Sequence, residues 1–209
     1  MKRSLLLFLC LLFTCPTISC QNKTRSVLTS EVEVVKVPNE EEVFDNLQQV
    51  ENKATVIVEA IAEECIGQNI NGLLGNNVQK ELPKYGYTKW KIKVTKIFKG
   101  SVIVGDELTL LLDYYILNEV ENQQKLVTFT SLKPPTLNKE YILFLEYDKK
   151  REGYRPVCDY EGMYPMPNKE LKDKIEANKL QQSDLDVFCD ETLKNLLSLY
   201  SKIATKYFY

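Results

Sequence analysis

The residues able to do chemistry in this chain of 209 residues are its cysteines, acids and lysines, because it contains no histidine. Without an imidazole there is no histidine base for a serine or cysteine nucleophile and no histidine ligand for zinc. Cys65, Cys158 and Cys189 lie well past the N-terminal cysteines. Three thiols allow one disulfide and one left over, or three buried thiols, and spacing does not choose the pair. A Cys158–Cys189 bond would staple the last expected strand to the tail, and a Cys65–Cys158 bond would join the first and last strands. The acids Asp113, Glu146, Asp148, Asp159 and Glu161 could contain a pair for carboxylate-based glycan hydrolysis, yet their spacing singles out no two of them. Lys84, Lys89, Lys91, Lys93, Lys96 and Lys99 form a basic strip around Trp90. Within it Lys89, Trp90, Lys91 and Lys93 are the candidate ligand face, suited to an anionic glycan or a lipid headgroup. The same lysines also read as the solvated side of an alternating strand. No glycine-rich phosphate loop or calcium loop occurs, and neither a cofactor nor a metal is expected.

These residues need a β framework. Ala54 to Glu64 is rich in β-branched residues and predicts a first strand. Ile66 to Tyr87, with its Gly, Asn and Pro residues, predicts a long loop. From Thr88 the alternation places Trp90, Ile92 and Val94 inward and Lys89, Lys91 and Lys93 outward. Ile97 then follows Val94 by three, the phase slip of a β-bulge. Turns at Lys99-Gly100 and Val104-Gly105-Asp106 lead to a strand over Glu107 to Leu112. Leu126 to Phe129 could add a short strand. Tyr141 to Leu145 is apolar on both faces, so something must cover each face. Tyr154 to Tyr164 is the last strand, interrupted by Pro156. Tyr85, Tyr87, Tyr114, Tyr115, Tyr154, Tyr160 and Tyr164 add aromatic core and rim.

The two ends differ from this middle. Lys2 and Arg3, the apolar run Leu5 to Phe13 and the less apolar Thr14 to Cys20 have the layout of a secretory leader. The run is shorter than the ~20 residues of a membrane span. Thr17-Ile18-Ser19-Cys20 resembles the bacterial lipobox, which implies a lipid on Cys20 and an exported protein held at the membrane of the cell envelope. Residues 1–19 are then the leader, and residues 20–50 a tether and short lead-in, with Gln21 to about Pro38 flexible and Phe44, Leu47 and Val50 at helical spacing. The net charge of −2 falls by two more when Lys2 and Arg3 leave with the leader, so nothing draws the chain toward nucleic acid. At the other end, Lys169 to Lys179 predicts a weak helix. Leu185, Phe188, Cys189, Leu193, Leu196, Leu197, Tyr200, Ile203 and Tyr207 trace a helical stripe. It predicts one helix of roughly 24 residues, about 36 Å long, covering the Tyr141 to Leu145 strand.

The phrases Ile97-Phe98-Lys99-Gly100, Gly105-Asp106 and Lys139-Glu140-Tyr141-Ile142-Leu143-Phe144-Leu145, followed by Cys158, resemble the bacterial relatives of the tissue inhibitor of metalloproteinases fold. The resemblance spans Ala54 to Tyr164 and implies a five-stranded Greek-key barrel of OB type. The expected fold is therefore mainly β with α, an OB-like barrel over residues 51–167 and a C-terminal helical segment over 168–209. The resemblance transfers no functional residue. The expected function is a non-enzymatic, envelope-tethered module that binds a protein or glycan partner and no nucleic acid. Metalloprotease inhibition and glycan hydrolysis are the alternatives.

Overall fold

The structure is a computed structural model and describes residues 32–37, 43–71, 85–118, 124–158, 161–188 and 195–208. The fold is mainly β with a C-terminal helix. Among the described residues the strands are β1 (Glu33–Lys36), β2 (Val56–Asn71), β3 (Tyr85–Lys99), β4 (Glu107–Leu112), β5 (Tyr114–Asn118), β6 (Gln124–Thr128), β7 (Glu140–Asp148), β8 (Gly153–Pro156) and β9 (Met163–Pro165). The helices are α1 (Leu47–Lys53), α2 (Lys169–Glu176) and α3 (Leu196–Tyr207). The strands form a six-stranded sheet, β2-β3-β4-β8-β7-β9, with β2 also paired to β7, and a three-stranded sheet, β1-β6-β5.

The large sheet follows its side-chain pattern. In β3, Thr88, Trp90, Ile92 and Val94 are buried while the intervening lysines face out. The phase slip after Val94 is a true register shift. Glu59 and Ala60 of β2 register with Lys96 and Val94, which leaves Thr95 as the extra residue. A second shift leaves Phe98 extra, and two more fall on the β2 side. Each bulge bends the ribbon and sharpens its twist. In β7, Tyr141 to Leu145 are all buried. Their edges pair with β2 on one side and with β8 and β9 on the other. Leu111 of β4 is buried as well, because Gly153 lies against it and a Cβ there would meet its side chain at 2.8 Å.

Three expectations are corrected. The segment read as a long loop is strand at both of its ends: β2 runs on to Asn71 and β3 begins at Tyr85, paired antiparallel from Gly67↔Lys89 to Asn71↔Tyr85. Residues 72–84, including Lys84, lie outside the described residues. The segment read as flexible tether contains β1, which pairs in parallel with β6 from Glu33↔Lys125 to Lys36↔Thr128. The pairing satisfies backbone groups, and Val35 and Val37 cover the small second core of Tyr115, Val127 and Phe129. The single long tail helix is replaced by a 3-10 turn at Gln182–Asp184, an extended stretch from Leu185 to Phe188 and the 12-residue α3, with residues 189–194 outside the described residues. In that stretch Val187 bridges to Leu132, and Lys133 N–H donates to Asp186 O at 2.9 Å. Strand pairing takes residues whose spacing also suited a helix.

The remaining helices fit their sequence. Asn46 caps α1 through Gln49 N–H, and Asn168 caps α2 through Leu171 N–H, as capping side chains do. Lys99 Nζ closes the other end of α1, donating to Glu51 O at 2.7 Å and Ala54 O at 2.6 Å. Leu196, Tyr200 and Ile203 of α3 are buried in the main core. Tyr200 stacks on Tyr164 at 5.5 Å and donates its hydroxyl proton to Pro165 O.

Candidate functional site

The outer face of β3 and β4 carries the lysines singled out above. Lys91 sits among three carboxylates, 3.5 Å from Glu63, 3.5 Å from Glu107 and 4.0 Å from Glu64. Glu107 foremost holds the Lys91 ammonium above the usual lysine pKa. Lys89 lies 6.0 Å from the ring centre of Tyr87 and Lys93 is exposed. The face thus carries three lysines and three carboxylates, with Glu63, Glu64 and Glu107 all gathered on Lys91. The face is charge-balanced and offers little net attraction to an anion. Trp90 does not share it. The indole is buried on the opposite side of β3 and donates to Tyr114 Oη at 2.6 Å, because a strand alternates its side chains and the core takes the apolar set.

Tyr87, in contrast, does reach this face. Arg151 lies 5.0 Å from its centre, and Asn69 Nδ2 donates to its hydroxyl at 3.2 Å. Arg151 also binds Asp113 at 2.7 Å and lies 3.5 Å from Asp148. This cation–aromatic cluster ties the β7–β8 turn to the β2–β3 ribbon. Its members are distant in sequence, so no local spacing announces it.

The other candidate acids are committed to structure. Glu146 binds Arg155 at 2.6 Å. Asp148 accepts the Lys150 and Arg151 backbone N–H groups of its own turn. Glu161 is fully buried and accepts Phe44 N–H at 2.8 Å. Asp159 and Tyr160 lie outside the described residues. Cys65 sits in β2 opposite Trp90, half-buried, and burial raises its thiol pKa, so little thiolate forms near neutrality. Cys65 and Cys158 are not joined to each other, which removes the bond proposed between first and last strands. Cys20 and Cys189, and with the latter the Cys158–Cys189 pairing, lie outside the described residues.

Two features escaped the sequence. Asp186 accepts Lys139 Nζ at 2.8 Å and Tyr141 Oη at 2.7 Å, fixing the extended tail against the start of β7. At the turn before β4, Ile103 and Val104 stand exposed between Gly100 and Gly105. Their signal was present in the chain, an aliphatic pair where a turn ordinarily carries polar residues.

Among the described residues no group of His, Cys, Asp and Glu side chains is placed to hold a metal. None of their helices is long and apolar enough to cross a membrane. No family model matches the chain, and no curated protein or solved structure matches it.

Proposed function

We propose that this chain is a non-enzymatic binding module, exported and held at the membrane of a bacterial envelope by a lipid on Cys20, which engages a protein or glycan partner through an OB-type barrel. The leader-like start and Ser19-Cys20 support the address. For the barrel, the support is the pairing cycle β2-β3-β4-β8-β7-β2. Its parallel β4–β8 contact inserts β8 between β4 and β7, out of chain order as in a Greek key.

The observation that carries the functional reading is the state of the acids. Asp113, Glu146, Asp148 and Glu161 each bind an arginine or backbone N–H groups. A hydrolytic pair needs one carboxyl kept protonated and another facing substrate, whereas these hold the fold together. The inhibitor alternative needs a zinc-reaching amine or thiol at the barrel rim, and Cys65 is half-buried with a raised pKa. The test is twofold. Intact-mass analysis of the membrane form should show a diacylglycerol on Cys20, and Cys20→Ser should release the protein from membranes. Incubation with cell-wall polymers should give no turnover; turnover abolished by Asp113→Asn or Glu146→Gln would overturn the reading.

A further inference from the structure

We propose that the turn bearing Ile103 and Val104 is the contact through which this protein holds a folded protein partner, one presenting an apolar recess with an uncharged rim. The inference rests on the reading of the chain as a tethered binding module and adds the surface and the partner class.

Ile103 and Val104 are 69% and 62% exposed, more than any other aliphatic pair adjacent in the described chain. The turn that presents them is closed by four hydrogen bonds. Gly105 N–H donates to Val94 O at 2.8 Å, Val94 N–H to Asp106 O at 2.9 Å and Asp106 N–H to Ile103 O at 3.1 Å. Ile103 N–H donates to the Asp106 carboxylate at 2.9 Å. Gly100 and Gly105 take left-handed φ values of 106° and 95°, which L-residues rarely adopt. At Gly100 a side chain would also strike Thr55 O and Val56. The two aliphatic side chains are therefore held in one place before any partner arrives, and such preorganisation lowers the entropy lost on binding.

Charge and position choose the partner. Lys96 is paired with Glu59, Lys99 is spent on the end of α1, Asp106 closes its own turn and Glu107 faces Lys91. Among the described residues beside the turn, only Lys93 is an exposed cation without a carboxylate partner, and it registers with Glu107, so a single charge is left to attract anionic headgroups. The tether also enters elsewhere. Glu33 registers with Lys125 and Lys125 with Leu117, next to Ile116, which Gln68 holds; Gln68 registers with Thr88. The chain thus arrives near the Thr88 level of β3, whereas the turn bonds to Val94, about 20 Å farther along the strand. The apolar pair stands away from the end drawn toward lipid. Two copies meeting turn to turn would bury little beyond these side chains, far short of the roughly 800 Å² per partner of a stable interface. A recess in another protein encloses such an anchor on all sides, the setting in which a few residues dominate binding.

The experiment places a photoreactive amino acid at position 103 of the full-length protein in its own envelope, with position 150 as an exposed control. The protein joined at position 103 is purified and titrated against the full chain in detergent. The expected result is a protein adduct at 103, absent at 150, and at least tenfold weaker binding of Ile103→Ser/Val104→Ser at unchanged melting temperature. Adducts to lipid alone, adducts to a second copy, no adduct, or binding indifferent to the double substitution would each overturn the proposal. Failure of the tether shows separately, as an unmodified Cys20 in the intact mass.

Discussion

The indole N–H of Trp90 meets the phenol of Tyr114 at 2.6 Å inside the main core, with both rings buried. Thr88 Oγ1 adds a 2.7 Å bond to Tyr114 O. Trp90→Phe keeps an aromatic ring but removes the donor, so urea unfolding should show a loss of about 1–3 kcal/mol. The buried tyrosines make a second prediction. Burial first, and for Tyr141 and Tyr207 also the carboxylates of Asp186 and Glu51, raise the pKa values of Tyr114, Tyr141 and Tyr207 above the ordinary tyrosine value. In the unfolded chain each ionises near ~10. A raised folded pKa means that the folded state holds its proton longer, so the contribution is full below pH ~10 and is lost as pH climbs above it. Melting temperature should therefore fall steeply in alkali, and Tyr141→Phe should flatten that fall. An alkaline melting curve identical in the two proteins would contradict the assignment.

At the scale of elements, the ribbon of β2 and β3 and the small sheet are held by the bonds of Thr88 and Trp90 to Tyr114 and by two further, unlike contacts. Gln68 gives β5 a mock strand partner, its amide donating to Ile116 O and accepting Ile116 N–H, each at 2.9 Å. Such a clasp blunts a strand edge that would otherwise invite pairing. Gly86 lies flat under the ring of Tyr115, where any Cβ would overlap the ring carbons. Gly86→Ala should force the ring aside and cost about 1–3 kcal/mol, as overpacking does. Differential hydrogen exchange should show lost protection in β5 and β6 before any in β7. Uniform loss across both sheets would mean that the small sheet is not a separate unit of stability.

The whole molecule depends on its tail. Phe144 and Tyr164 of the main core meet rings of α3, with Phe144 5.8 Å from Tyr207 and Tyr164 stacked on Tyr200. Glu51 of α1 receives Lys206 Nζ at 2.7 Å and Tyr207 Oη at 2.5 Å, so the last helix also closes on the first. Ending the chain at Gln182 should lower the melting temperature sharply in detergent-free buffer, because it exposes the apolar side of β7 and β9. Ile203→Ala, which keeps the helix, should cost about 2–5 kcal/mol. An unchanged melting temperature in the truncated protein would place α3 outside the core.

The alternation of Trp90, Ile92 and Val94, the slip before Ile97, the strand from Glu107 to Leu112 and the stripe of Leu196, Tyr200 and Ile203 were legible because periodicity belongs to a single segment. The doubly apolar Tyr141 to Leu145 likewise announced that it needed cover. Partners were not legible. β1 is short and largely exposed, and only the distant edge of β6 makes it a strand. Leu185 and Phe188 had helical spacing, but pairing of their segment with Ser131, Leu132 and Lys133 decided otherwise. The lysine strip looked basic because Glu63, Glu64 and Glu107 come from other strands. Periodicity states which face of a segment avoids water, whereas register, ion pairing and coverage are set by two segments meeting, and only the tertiary structure brings them together.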